Sequence, residues 1–161
     1  MAQLVECVPN FSEGGRREVV EELIDVIAAV PGAMLLDHEM DPDHNRSVLT
    51  FAGEPEPVAE AAFRVVERAA RLIDLNHHQG QHPRMGATDV LPFVPVEGVT
   101  VEGCAELARS VGGRIGERLG IPVFLYEAAA SRPHRVGLAD VRRGGFEGLR
   151  DLVGKDPRRV P

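Results

Sequence analysis

The chain has 161 residues, 43% of them hydrophobic and 27% charged, a balance that supplies one core of ordinary size without a disulfide or metal staple. Its 25 acidic and 18 basic residues give a formal charge of −7, which excludes a general nucleic-acid binder. Lys155 is the only lysine and sits among charged residues, so Schiff-base chemistry is set aside. Cys7 and Cys104 lie far apart and read as thiols of a reducing cytoplasm rather than a secreted scaffold. No apolar run reaches 18 residues and no charged leader precedes an apolar stretch; the expectation is a soluble, cytoplasmic, single domain.

Residues 2–9 alternate, with Leu4, Glu6 and Val8 on one face and Val5 and Cys7 on the other, which predicts a strand. Asn10 to Gly14 is a polar turn in which Ser12 is placed to cap the next helix. Apolar residues at Val19, Val20, Leu23, Ile24 and Ile27 predict that helix over about 16–30, stopped by Pro31 and Gly32. Residues 33–39 and 46–52 predict two strands around the turn 40–45. A second amphipathic helix follows over 57–73. Beyond a polar stretch, 87–96 predicts a strand whose Pro92 and Pro95 suit an edge or a bulge. This β-α-β-β-α-β order is that of the ferredoxin-like split-βαβ sandwich. A third helix over about 101–119 starts behind Thr100 and ends at Gly120, 121–126 predicts a short buried strand, and one more helix falls near 145–153. The fold expected is therefore a two-layer α/β sandwich of ferredoxin-like order, extended by one helix and one strand.

Polar residues concentrate in three loops that this topology can bring to one side of the sheet: 10–14, 41–46 and 77–86, the last two holding four of the six histidines. His77, His78 and His82 with Asp74 resemble a ligand cluster, but Gly80 and Pro83 break the helix that would present them. Asp41, Asp43 and Asn45 open like a calcium loop, yet Arg46 stands where glycine is needed and Ala52 where a bidentate glutamate belongs. No metal is expected. Neither cysteine is flanked by histidine, and both read as small buried hydrophobes. Gly112-Gly113-Arg114 lies inside a helix and makes no phosphate loop.

General acid–base chemistry remains, with His82 its best candidate because histidine titrates near neutrality. Pro83 holds His82 extended, while Gly80 and Gly86 permit close approach of a ligand. Arg84 can clamp a carboxylate in bidentate fashion, and Arg46 stands beside Asn45 in the neighbouring loop. Taken singly, His82 also reads as an exposed loop histidine and the two arginines as solvated charges. His77 and His78 read as solvated by default.

At these residues the sequence resembles the glutamate formimidoyltransferases, which occur alone or as the transferase half of formimidoyltransferase-cyclodeaminase. The resemblance runs through the chain and rests on 4–14 (LVECVPNFSEG), 44–48 (HNRSV), 71–74 (RLID) and 80–90 (GQHPRMGATDV) with Pro92 and Phe93. It implies transfer of a formimidoyl group from N-formimidoyl-L-glutamate to N5 of tetrahydrofolate, a co-substrate, in histidine degradation, with the family's catalytic histidine falling on His82. It further implies that Arg46 and Arg84 hold carboxylates of the substrate or the folate tail, that Asn10 and Asn45 bond amide-like groups, and that Gly86 and Glu39 line the site. Glu39 departs by one methylene from the aspartate that the resemblance leads one to expect there. Complete members carry two similar subdomains with folate between them, so residues 1–161 correspond to the N-terminal one, with a C-terminal subdomain or a second copy as partner. The alternatives are a non-catalytic folate-binding or scaffold paralogue, and a glutamate formyltransferase.

Overall fold

The computed structural model describes residues 2–79, 84–156 and 160–161. Its centre is an antiparallel sheet of six strands: β1 (Leu4–Cys7), β2 (Asn10–Phe11), β3 (Met34–Asp41), β4 (Arg46–Gly53), β5 (Thr88–Val90) and β6 (Phe93–Glu97). β1 and β2 both pair with β4 and are parted only by Val8 and Pro9; β5 and β6 are parted by Leu91 and Pro92. The sheet therefore has four rows, β5/β6, β1/β2, β4 and β3, every pair antiparallel. As the prolines predict, β5/β6 is an edge interrupted in its middle, since proline gives no N–H to a ladder.

The alternation in β1 sorts as read: Val5 and Cys7 are fully buried, while Leu4 and Glu6 are half-buried on the opposite face. Two helices cover the inner face. α1 (Arg17–Ala28) buries Val19, Val20, Leu23 and Ile27, and α2 (Pro55–Leu72) buries Val58, Ala61, Ala62, Val65, Val66 and Ala69. They meet Phe11, Leu49 and Phe51 from the sheet in one cluster, where each large apolar side chain contributes about 1.5–3 kcal/mol. α3 (Val101–Leu119) lies beside α2; Arg114 pairs with Glu60 at 2.5 Å and sits 3.8 Å over the Phe63 ring. Its ends match the sequence reading: Thr100 Oγ1 accepts from the Gly103 N–H at 2.9 Å, and Gly120 closes it at φ 66°. No helix is long and apolar enough to cross a membrane among the described residues.

Two expectations are corrected. Residues 121–126 form no strand; the segment lies along α3, where Gly112 leaves room for Val123 and Leu125. An apolar run satisfied by a helix surface needs no ladder, and Pro122 lacks a donor for one. Ser12 does not cap α1. Its hydroxyl donates to the Gly86 carbonyl at 2.8 Å, while Glu13 Oε2 takes the Gly15 and Arg16 N–H groups before the helix at 3.1 and 3.0 Å. The C-terminal part is a string of short turns with α4 (Leu138–Arg142) and α5 (Gly145–Leu152). The fold is mixed α/β with a broken antiparallel sheet and helices on its inner face.

Candidate functional site

The described parts of all three polar loops meet at the end of the sheet where β2, β4 and β5 lie together. They meet because β2 pairs with both β4 and β5, and because Ser12 ties loop 10–14 to the third loop twice, through its hydroxyl and through its N–H to the Ala87 carbonyl at 2.9 Å. The resulting small cleft is lined by Asn10, His44, Arg46, His78, Arg84 and Asp89, with Asn45 at its wall. Gly14 lets the first loop touch the second: a Cβ there would stand 2.4 Å from the Asp41 carbonyl and 2.5 Å from the Arg46 backbone nitrogen. No side chain larger than hydrogen fits that gap.

Asn45 takes a left-handed conformation, φ 51°, which asparagine tolerates better than most residues. Its Oδ1 accepts from the Gly14 N–H at 2.8 Å and its Nδ2 donates to the Gln79 carbonyl at 2.9 Å. Its own carbonyl stands 3.2 Å from Nε2 of His78. Arg46 reaches along the outer face of the sheet and donates to Asn10 Oδ1, while Asn10 Nδ2 bonds the Val8 carbonyl at 3.0 Å. Glu39 is exposed and lies opposite Val48, which in turn lies opposite Asn10. Glu39, Val48 and Asn10 thus form one row on the outer face that enters the cleft at Asn10 and leaves Glu39 outside it.

Arg84 and Gly86 each make close contacts within the chain itself. Arg84 makes a bidentate pair with Glu147 of α5, at 2.6 and 3.2 Å, and its carbonyl accepts from the Phe146 N–H at 2.9 Å. The Arg84 guanidinium holds the Glu147 carboxyl below the usual carboxylate range. What approaches Gly86 closely is its own chain, since a Cβ would stand 2.9 Å from the Thr88 carbonyl. Asp89, not singled out from the sequence, organises this loop: its buried carboxylate accepts from the Met85 N–H at 2.5 Å and pairs with Arg142 of α4 at 2.5 Å. An acid three residues behind a glycine turn is a local signal for such a bond; Arg142 and Glu147, over fifty residues on, left none.

In the second loop Asp41 folds onto His44, with Oδ1 accepting the His44 N–H at 3.2 Å and Oδ2 meeting His44 Nδ1 at 2.5 Å. The His44 backbone, then its ring, holds the Asp41 carboxyl below its ordinary value. His77 pairs with Asp74 at 2.9 Å on an exposed turn while His78 points to the cleft. Among the described residues no three His, Cys, Asp or Glu side chains converge as a metal would require. His82, the acid–base candidate, lies outside the described residues. Both cysteines are buried and free, and burial pushes each thiol up.

The arrangement offers guanidinium, amide and imidazole groups at one sheet end, suited to anionic, amide-rich ligands. Residues 4–161 match the family described as the formiminotransferase domain, N-terminal subdomain. A glutamate formimidoyltransferase of Streptococcus pyogenes is 50% identical over 149 residues, covering 92% of this chain and 50% of its own length. The glutamate formimidoyltransferase of Thermoplasma acidophilum is 52% identical over 144 residues, 89% of this chain and 48% of its own. Mouse formimidoyltransferase-cyclodeaminase is 49% identical over 161 residues, all of this chain and 30% of the relative. The chain thus spans about half the length of the two microbial relatives it matches.

Proposed function

We propose, since the chain belongs to the formiminotransferase N-terminal subdomain family, that it is the catalytic half of a transferase moving the formimidoyl group of N-formimidoyl-L-glutamate to N5 of tetrahydrofolate, in histidine degradation in the cytoplasm. The observation that carries the reading is the meeting of the three polar loops in one cleft, with Arg46 and His78 in its wall and residue 79 leading directly into the His-Pro-Arg block. Strand order β5/β6, β1/β2, β4, β3 with two helices on one face supports the ferredoxin-like arrangement.

His82 acts as general acid and base. As N5 bonds to the amidine carbon, the folate nitrogen loses a proton to the imidazole; as the carbon–nitrogen bond to glutamate breaks, the imidazolium returns a proton to the departing nitrogen. One histidine suffices for both transfers without a metal or covalent enzyme intermediate. Arg46 and Arg84 hold carboxylates, Asn10 bonds an amide-like group, and Glu39 and Gly86 border the binding surface. Tetrahydrofolate is the co-substrate, and no metal takes part. Met34, Leu36, Val94 and Val96 are exposed, which supports a C-terminal subdomain or a second copy covering them. The test is His82→Ala in the full-length protein: turnover falls about 10²–10⁴-fold while both substrates still bind. Near-normal turnover overturns the reading.

The Arg84–Glu147 pair favours a second reading. A clamp already filled by the chain's own carboxylate suits a folate-binding or scaffold paralogue without turnover. Assaying the chain with a C-terminal subdomain supplied separates the two, because only the first gains activity. A formyl donor in place of formimidoyl uses the same geometry and is separated by offering N-formyl-L-glutamate.

A further inference from the structure

We infer that Asn45 is a positioning residue: its amide fixes the loop leading into His82 against the other two loops of the cleft, rather than touching a substrate. The inference rests on the acid–base reading of His82. Both ends of the Asn45 amide are already used inside the protein. Oδ1 holds the Gly14 N–H at 2.8 Å and Nδ2 holds the Gln79 carbonyl at 2.9 Å, while its backbone carbonyl faces His78 Nε2 at 3.2 Å. One side chain thus bonds residues 31 positions before it and 34 after it. The backbone is committed to the same task, since the left-handed φ of 51° at the end of the β3–β4 turn aims the amide between the two neighbouring loops. Gly14 completes the stitch, its missing side chain allowing the first loop to lie on the Arg46 backbone. Gln79 is three residues before His82 in the sequence and is the last described residue ahead of the proposed acid–base group. Misplacement of a catalytic group by about 1 Å can lower a rate about 10²-fold.

Two variants separate the arms of the stitch. Asn45→Asp keeps an acceptor for the Gly14 N–H but sets a carboxylate oxygen against the Gln79 carbonyl. Asn45→Gly keeps the left-handed backbone and removes both side-chain bonds, so it folds without strain at this position. In the full-length protein both are expected to lower kcat by about 10–100-fold with KM for N-formimidoyl-L-glutamate and for tetrahydrofolate within about twofold of the parent. Amide exchange gives an independent reading: the Gly14 N–H exchanges about tenfold faster in Asn45→Gly and at the parent rate in Asn45→Asp. A rise in KM for either substrate at unchanged kcat makes Asn45 a substrate contact and overturns the inference. So does unchanged kcat in Asn45→Asp, or unchanged Gly14 exchange in Asn45→Gly. His82→Ala is measured alongside: if it retains turnover, the acid–base reading fails, whereas an inactive His82→Ala beside a normal Asn45→Asp fails the positioning inference alone.

Discussion

The sheet with α1 and α2 and the C-terminal segment with α4 and α5 are held by different forces. The first region buries Val5, Cys7, Phe11, Leu23, Ile27, Leu49 and Phe51 completely. α5 buries no residue and α4 only Val141. What ties them to the third loop and β5 is mainly polar, Arg84 with Glu147, Asp89 with Arg142 and the Phe146 N–H on the Arg84 carbonyl, with the Phe146 side chain packed against the edge of the core. Apolar burial responds little to salt or acid, whereas the Arg84–Glu147 pair, with its glutamate exposed, responds to both. The cleft stands between the two regimes, its first two loops rooted in the core and its third strapped from outside.

This contrast is sharpest under substitution. Phe51→Ala in the core should cost about 3–5 kcal/mol and remove the cooperative thermal transition in circular dichroism. Gly14→Ala should come next: its Cβ meets backbone on both sides, so the loops must part, and a loss of about 2 kcal/mol or more in urea titrations accompanies the loss of cleft binding. Arg142→Ala leaves the Asp89 carboxylate, 6% exposed, with backbone partners only, a cost of about 1–3 kcal/mol, seen as faster exchange of the Met85 amide. The smallest effect belongs to the strap on α5. Because the folded pKa of Glu147 is lowered, its pairing with Arg84 is fully present above the unfolded glutamate value and is lost as pH falls through the lower folded one. Acidification should therefore free the Phe146 amide to exchange while the amides of β4 stay protected; a simultaneous release would show the two regions to be one unit.

Legibility followed the same division. α3 was readable to both ends because Thr100 and Gly120 carry local chemistry, a hydroxyl cap and a left-handed stop. The alternation of Val5 and Cys7 against Leu4 and Glu6 was readable because one face is buried. The apolar run 121–126 was not, since burial against α3 and burial in a sheet select the same residue types. In the site, sequence placed the three loops together but misassigned Ser12, whose hydroxyl prefers the Gly86 carbonyl 74 positions away to the nearby helix. Arg84 read as a clamp without Glu147, 63 positions on, in view.

The interruptions at Pro9 and Pro92 fall at the same level of adjacent strands, where the Val8 N–H reaches the Pro92 carbonyl at 3.2 Å and the Leu49 N–H reaches that of Pro9 at 3.1 Å. They break the β1/β2 and β5/β6 rows at one level, while β4 and β3 run on past it. On one side of that break Val5 and Cys7 lie opposite Gly53 and Phe51; on the other, Asn10 and Phe11 lie opposite Val48 and Ser47, with Asn10 lining the cleft and Phe11 still part of the core. The break leaves β1 and β2 each with its own short pairing to β4, so a change at Asn10 need not shift the register of Val5 and Cys7.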